Sequence, residues 1–130
     1  MPLVRIDLPR AIEAHTALRI GEVVHTAMTE VINVPRDDKF QIISRQAAEE
    51  RNLTAEYLGI RYSDQLILIQ ITLNHGRTLE QKKAFYRRVA GDLSELGVRP
   101  QDVFINLVEV ARENWSFGNG EMQYAPASPS

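Results

Sequence analysis

The chain has 130 residues, 44% of them hydrophobic and 25% charged, a composition that fits one ordinary globular domain and excludes a disordered or low-complexity scaffold. Lys and Arg number 15 against 17 Asp and Glu, leaving a net charge of −2, so no basic surplus speaks for a nucleic-acid or anionic-membrane binder. There are no cysteines, which removes disulfides, thiolate metal sites and cysteine nucleophiles together.

In chain order, Pro2 to Leu8 alternates with period two. Pro2, Val4, Ile6 and Leu8 face one way, and Leu3, Arg5 and Asp7 the other, which predicts a strand with one buried face. Ala14, Leu18, Gly21, His25, Met28 and Ile32 then recur at helical spacing, and Asn33-Val34-Pro35 ends that helix. Phe40 to Ile43 reads as a short second strand. Residues 46–64 read as an irregular connection with one helical turn around Thr54 to Leu58. Leu66 to Leu73 is the strongest strand pattern in the chain, with Ile67, Ile69, Ile71 and Leu73 on one face. After the turn Asn74-His75-Gly76-Arg77, Thr78 with Gln81 three residues on matches a capping box and predicts a helix beginning at Thr78. Its apolar stripe is Leu79, Tyr86, Val89, Leu93 and Leu96. Val103 to Val108 returns to a strand. The tail from Asn114 carries Trp115 and Phe117 before Gly118-Asn119-Gly120, a turn that predicts a hairpin with Met122 and Tyr124 on the return arm. Ala125 to Ser130 reads as loose.

The order β-α-β, connection, β-α-β repeats at a spacing of 64 residues, which sets Val34 on Val98, Asp38 on Asp102 and Phe40 on Phe104. The expectation is an α/β fold of two fused β-α-β units, residues 2–46 and 65–110, followed by a C-terminal hairpin and tail, 111–130. The units should form a four-stranded sheet with both helices on one face. The opposite face should then carry enough apolar side chains to require an oligomer.

Several residues carry chemical potential. If Met1 is removed, Pro2 becomes a secondary amine able to act as acid, base or nucleophile. Arg77, just ahead of a capped helix, suits a carboxylate, and His75 suits the same anion or a titration near neutrality. Asp38 before the second strand suits holding a proton or orienting water. His25, on the apolar stripe, reads as a satisfied core or interface histidine, and Trp115 and Phe117 as rings buried against the sheet or a neighbouring subunit. No phosphate loop or Ser-His-Asp set stands out, and three scattered histidines support no metal site.

Taken together, Pro2 with Asp7-Leu8, Val34-Pro35 through Asp38-Lys39-Phe40-Gln41, Gly76-Arg77-Thr78 with Glu80-Gln81-Lys82, Phe85-Tyr86, Asp102-Val103 and Trp115-Ser116-Phe117-Gly118 resemble the tautomerase superfamily. Within it, the chain is most similar to malonate semialdehyde decarboxylase and its relatives. The resemblance implies a homotrimer without cofactor or metal, acting on a small carboxylate substrate in the cytoplasm, with no nucleic-acid or membrane partner. It implies Pro2 as the catalytic proline, Asp38 as the acid that assists it or its water, and Arg77 as the arginine that holds the carboxylate. It also places His75, Trp115 and Phe117 at the substrate. One position departs from the decarboxylase pattern: His75 stands where a second arginine is found. The activity implied is decarboxylation of a 3-oxo acid, keto–enol tautomerisation, or both. Hydration or dehalogenation of an unsaturated acid, and a non-catalytic trimeric interaction protein, are the alternatives.

Overall fold

The computed structural model describes residues 1–125. Strand β1 (Leu3–Pro9) buries Val4, Ile6 and Leu8 and turns Arg5 outward, as its alternation requires. Helix α1 (Ala14–Val31) stops where Asn33 takes a left-handed φ of 59° and the Val34 N–H closes on Met28 O at 3.1 Å. Strand β2 (Gln41–Gln46) then runs parallel to β1. A short 3-10 turn over Ala48–Glu50 leads to a small hairpin, β3 (Glu56–Tyr57) and β4 (Ile60–Arg61).

Strand β5 (Ile67–Asn74) opens the second unit. Helix α2 (Leu79–Ser94) begins on the predicted capping box: the Gln81 N–H donates to Thr78 Oγ1 at 3.1 Å and the Thr78 N–H to Gln81 Oε1 at 2.9 Å. It ends as α1 does, with Gly97 at φ 87° and the Val98 N–H on Leu93 O. Strand β6 (Val103–Val110) follows, then a 3-10 turn over Arg112–Asn114. The 64-residue spacing thus holds for the starts of β1 and β5, the ends of β2 and β6 and the 3-10 turns that follow β2 and β6.

The sheet order is β2-β1-β5-β6, with β1 parallel to β2, β5 parallel to β6, and the two units joined through the antiparallel pair β1–β5. Both helices lie on one face. Ile6, Leu8, Ile69, Ile71 and Leu73 from the sheet meet Ile20, Val24 and Met28 of α1 and Phe85, Val89 and Leu93 of α2 in one core. Each such side chain removed from water contributes about 1.5–3 kcal/mol before entropy is counted.

Four sequence expectations need correction. The stripe assigned to α1 holds at Gly21, His25, Met28 and Ile32, which are buried, but Leu18 is 64% exposed and Ala14 is exposed, while Ala17, Ile20, Val24 and Ala27 join the buried face. Small residues, not the largest ones, face β2, because the helix approaches that strand closely. A Cβ on Gly21 would meet Gln41 Oε1 at 2.6 Å, and Gln41 Nε2 donates to Gly21 O. In α2, Leu79 and Tyr86 point outward and Phe85 takes the core position. The helical turn expected at Thr54 to Leu58 is instead the β3–β4 hairpin, whose central residues Leu58 and Gly59 both have left-handed φ, 50° and 79°, as a two-residue hairpin turn demands. The C-terminal hairpin does not form strands. The Gln123 side chain folds back instead, accepting from the Phe117 N–H and donating to Gly118 O. Of the stretch expected to be loose, only Ala125 lies within the described residues.

The outer sheet face mixes exposed Ile42, Phe104 and Val108 with Arg5, Gln70 and Asn106, the last two joined by a 2.9 Å hydrogen bond. Among the described residues, no helix is long and apolar enough to cross a membrane.

Candidate active site

Strand direction gathers the candidate residues at one end of the sheet. Because β1 runs antiparallel to β5, the start of β1 lies against the end of β5, with Leu3 opposite Thr72, so buried Pro2 sits next to the Asn74–Arg77 turn. Because β5 and β6 are parallel, Asn74 faces Val110, and the 3-10 turn carrying Arg112 starts beside the same edge. The His75 N–H donates to Val110 O at 3.2 Å and ties the two loops together. Gly76, at φ 133°, makes the sharp turn between His75 and Arg77 that a side chain would strain.

Arg77 is half-buried and fixed by two backbone acceptors. Its Nε donates to Ile32 O, at the C-terminus of α1, at 2.9 Å, and its Nη1 to Asn74 O at 3.4 Å. Neither bond uses Nη2, so the guanidinium is held in place with an edge still free for a carboxylate. Asp38, also half-buried, is set by a turn whose N–H bonds Pro35 O at 3.0 Å.

Electrostatics links these groups to the chain terminus. The Met1 amine is held below its ordinary pKa, first by burial. The carboxylate of Asp38 pulls it back up, and the Arg77 and Arg112 guanidinium groups push it further down. Asp38, Arg77 and Arg112 therefore all act on one amine at the mouth of β1.

An aromatic wall stands beside them. Trp115 Nε1 donates to Asn74 Oδ1 at 2.7 Å, Trp115 stacks on Phe117 with centroids 5.5 Å apart, and Phe117 meets the edge of Tyr124 at 5.0 Å. Arg112 lies 6.0 Å from the Tyr124 ring centroid. Phe117 remains 40% exposed in the single chain and Trp115 half-buried, less covered than their apolar character predicted.

His75 is exposed and sits 3.9 Å from Glu109 Oε2, while Lys82 Nζ bonds Glu109 Oε1 at 2.5 Å. The Lys82 hydrogen bond is the main reason the Glu109 carboxyl is held below its usual range. His25 stands apart from the cluster, buried on α1 with Nε2 on Arg36 O at 2.8 Å, the satisfied core histidine its position predicted. Five clefts of the single chain are lined by other residues.

Arg112, Asn74 and Glu109 escaped the sequence reading. Arg112 had a signal in the repeat, since it opens the second copy of a 3-10 turn whose first copy begins at Ala48. Asn74 had none, because its role is a side-chain acceptor for a ring 41 residues away.

The comparisons with known proteins give the family and the fold. A family model described as tautomerase enzyme matches residues 38–118. The probable tautomerase YusQ of Bacillus subtilis (strain 168) is 44% identical over 124 residues, covering 95% of this chain and 98% of that protein. Among solved structures, FG41 malonate semialdehyde decarboxylase inhibited by 3-bromopropiolate is 34% identical with a TM-score of 0.86, covering 94% of this chain and 93% of that one. A fused 4-OT symmetric trimer, 20% identical over 92% of this chain and 94% of that one, shares the fold with a TM-score of 0.74. With the family model spanning most of the chain and close relatives aligned nearly end to end, this protein belongs to the tautomerase family of enzymes.

Proposed function

We propose that the protein uses the secondary amine of Pro2, freed by removal of Met1, to decarboxylate a small 3-oxo acid of the malonate semialdehyde kind and to interconvert keto and enol forms of related oxo acids. The observation that carries this reading is the convergence of Asp38, Arg77 and Arg112 on the amino terminus, where burial disfavours the charged amine. An amine on Pro2 would sit one residue further along β1, in a buried position, under the same three charges. The likeness to YusQ and to FG41 malonate semialdehyde decarboxylase supports the two halves of the proposal.

The chemistry follows from the charges. Arg77 holds the substrate carboxylate through its free edge and turns it out of the plane of the carbonyl. In decarboxylation the bond between the carboxylate carbon and the α-carbon breaks, CO₂ leaves, and the electron pair becomes an enolate stabilised by the neighbouring cations. Protonated Pro2 hydrogen-bonds the carbonyl oxygen and then delivers its proton to the α-carbon. In tautomerisation neutral Pro2 takes a proton from one end of the enol–ketone system and returns it at the other. Asp38 favours the charged form and burial the neutral one, so their balance divides the two activities. Trp115 and Phe117 exclude water from one side of the substrate.

The same proposal assigns a trimer. The outer sheet face exposes Ile42, Phe104 and Val108. The fused 4-OT relative with this fold is itself a trimer. A neighbouring subunit would complete the pocket. Assays of the Met1-free protein on malonate semialdehyde and on an enol-pyruvate substrate test the reading. Lowered turnover in Pro2→Ala and weakened substrate capture in Arg77→Ala are expected, and activity unchanged in both would overturn it.

A further inference from the structure

The 64-residue repeat generates a second copy of the Pro2 end of the sheet, and that copy forms a cleft. At the opposite end, where β1 finishes and β5 begins, lies a cavity of about 440 Å³, a size that suits a small organic ligand. Leu66 stands there 64 residues after Pro2, and the lining residues Arg51 and Leu53 occupy the places that Trp115 and Phe117 hold at the other end. The segment that follows them, including β3 and β4, folds over the opening and adds Tyr62 and Ser63 to the wall. The wall is therefore part apolar and part cationic.

The cationic part is undersupplied with acceptors. Arg51 Nη2 donates to Leu66 O at 2.5 Å, but its Nη1 is buried and has no hydrogen-bond partner among the described residues. Burial also lowers the guanidinium pKa, with only Asp7 opposing. The second cation, Arg10, meets Glu50 at 3.8 Å in an exposed pair that holds it loosely. The carboxylates nearby already have donors: Asp7 accepts from Gln46 Nε2 at 2.8 Å, Asp64 from Gln65 Nε2 at 3.2 Å, and Asp102 from the Ser63 N–H and Oγ. An anion entering the cavity would meet two arginine side chains, Arg51 and Arg10, in its wall.

We propose that this cavity is a second ligand site, for a small monocarboxylate with a short apolar body, its carboxylate held by Arg51 and Arg10 and its chain against Leu53 and Leu66. The site binds without turnover. Leu66 offers no amine where the other end has Pro2, and Asp102, the counterpart of Asp38, is already bonded to Ser63. The proposal does not depend on the reaction assigned to Pro2.

Calorimetric titration of butyrate into the full-length Arg77→Ala protein tests it, because that background removes the carboxylate anchor of the Pro2 end. One butyrate per chain is expected. Adding Arg51→Gln should weaken that binding about tenfold or more, as loss of a charge-assisted contact does. Arg51 also anchors Leu66 O, so a folding defect in that variant is checked by the second one: Arg10→Gln, on the exposed pair, should weaken binding with the unfolding midpoint unchanged. No butyrate binding by Arg77→Ala, or binding that neither Arg51→Gln nor Arg10→Gln alters, would overturn the proposal.

Discussion

The two halves of this chain have one backbone plan and opposite uses for it. Their paired aspartates show the difference best. Asp102 is 1% exposed, and its two oxygens accept from the Ser63 N–H at 2.8 Å and from Ser63 Oγ at 2.5 Å, pinning the β3–β4 segment to the start of β6. Asp38 sits at the matching place before β2 but is only half-buried, and it acts across the gap on the terminal amine. A carboxylate in the same turn is a strut in one half and a free charge in the other. What decides for Asp102 is Ser63, in the segment after β4, which caps both of its oxygens.

That contrast can be broken by mutation. The largest effect is expected at Pro2. Pro2→Ala should lower turnover by about 10²- to 10⁴-fold, the range of a lost acid–base group, and Leu66, its counterpart, should tolerate Leu66→Met with activity intact; steady-state kinetics on both proteins checks this. Next, Arg77→Ala should raise KM by about 10- to 150-fold, through loss of a charge-assisted carboxylate contact worth roughly 1.5–3 kcal/mol.

The aspartates should then part company in a urea titration. Asp102→Ala strands the Ser63 donors in a buried site and should cost about 2–3 kcal/mol of stability, while Asp38→Ala should cost under about 1 kcal/mol and show its effect in turnover. Equal stability losses would erase the distinction. The smallest effect concerns pH. The folded-state pKa of Glu109 is lowered, chiefly by the Lys82 hydrogen bond, from an ordinary 4.5. The stability it contributes is therefore present above that ordinary value and is lost as the pH falls through the lower folded one. Glu109→Gln should reduce the urea midpoint slightly at pH 7, by an amount under about 1 kcal/mol for so accessible a pair, and the gap between the two proteins should close in acid.

Much of this arrangement was legible in the residues. Period-two alternation located β1 and β5, and the Thr78–Gln81 capping box set the first turn of α2 to the residue, because both signals are local. The face of α1 was read correctly at Gly21 and Met28 but not at Leu18, because apolar size is a poor guide where a helix packs closely: Ala17 is buried while Leu18 faces water. The hairpin at Leu58-Gly59 was missed because a leucine with positive φ carries no composition signal. At the site, Pro2, Asp38 and Arg77 could be picked out by residue type and motif. Arg112 and Asn74 could not, since strand register alone brings the end of β6 and the end of β5 to the start of β1.

The central claim is that the terminal amine of Pro2 does the chemistry, and intact-mass measurement on the catalytically active protein tests it most directly. The account predicts a chain lighter by Met1, with the amine of Pro2 free. Fully active protein that uniformly retains Met1, with Pro2 locked as an amide, would contradict it.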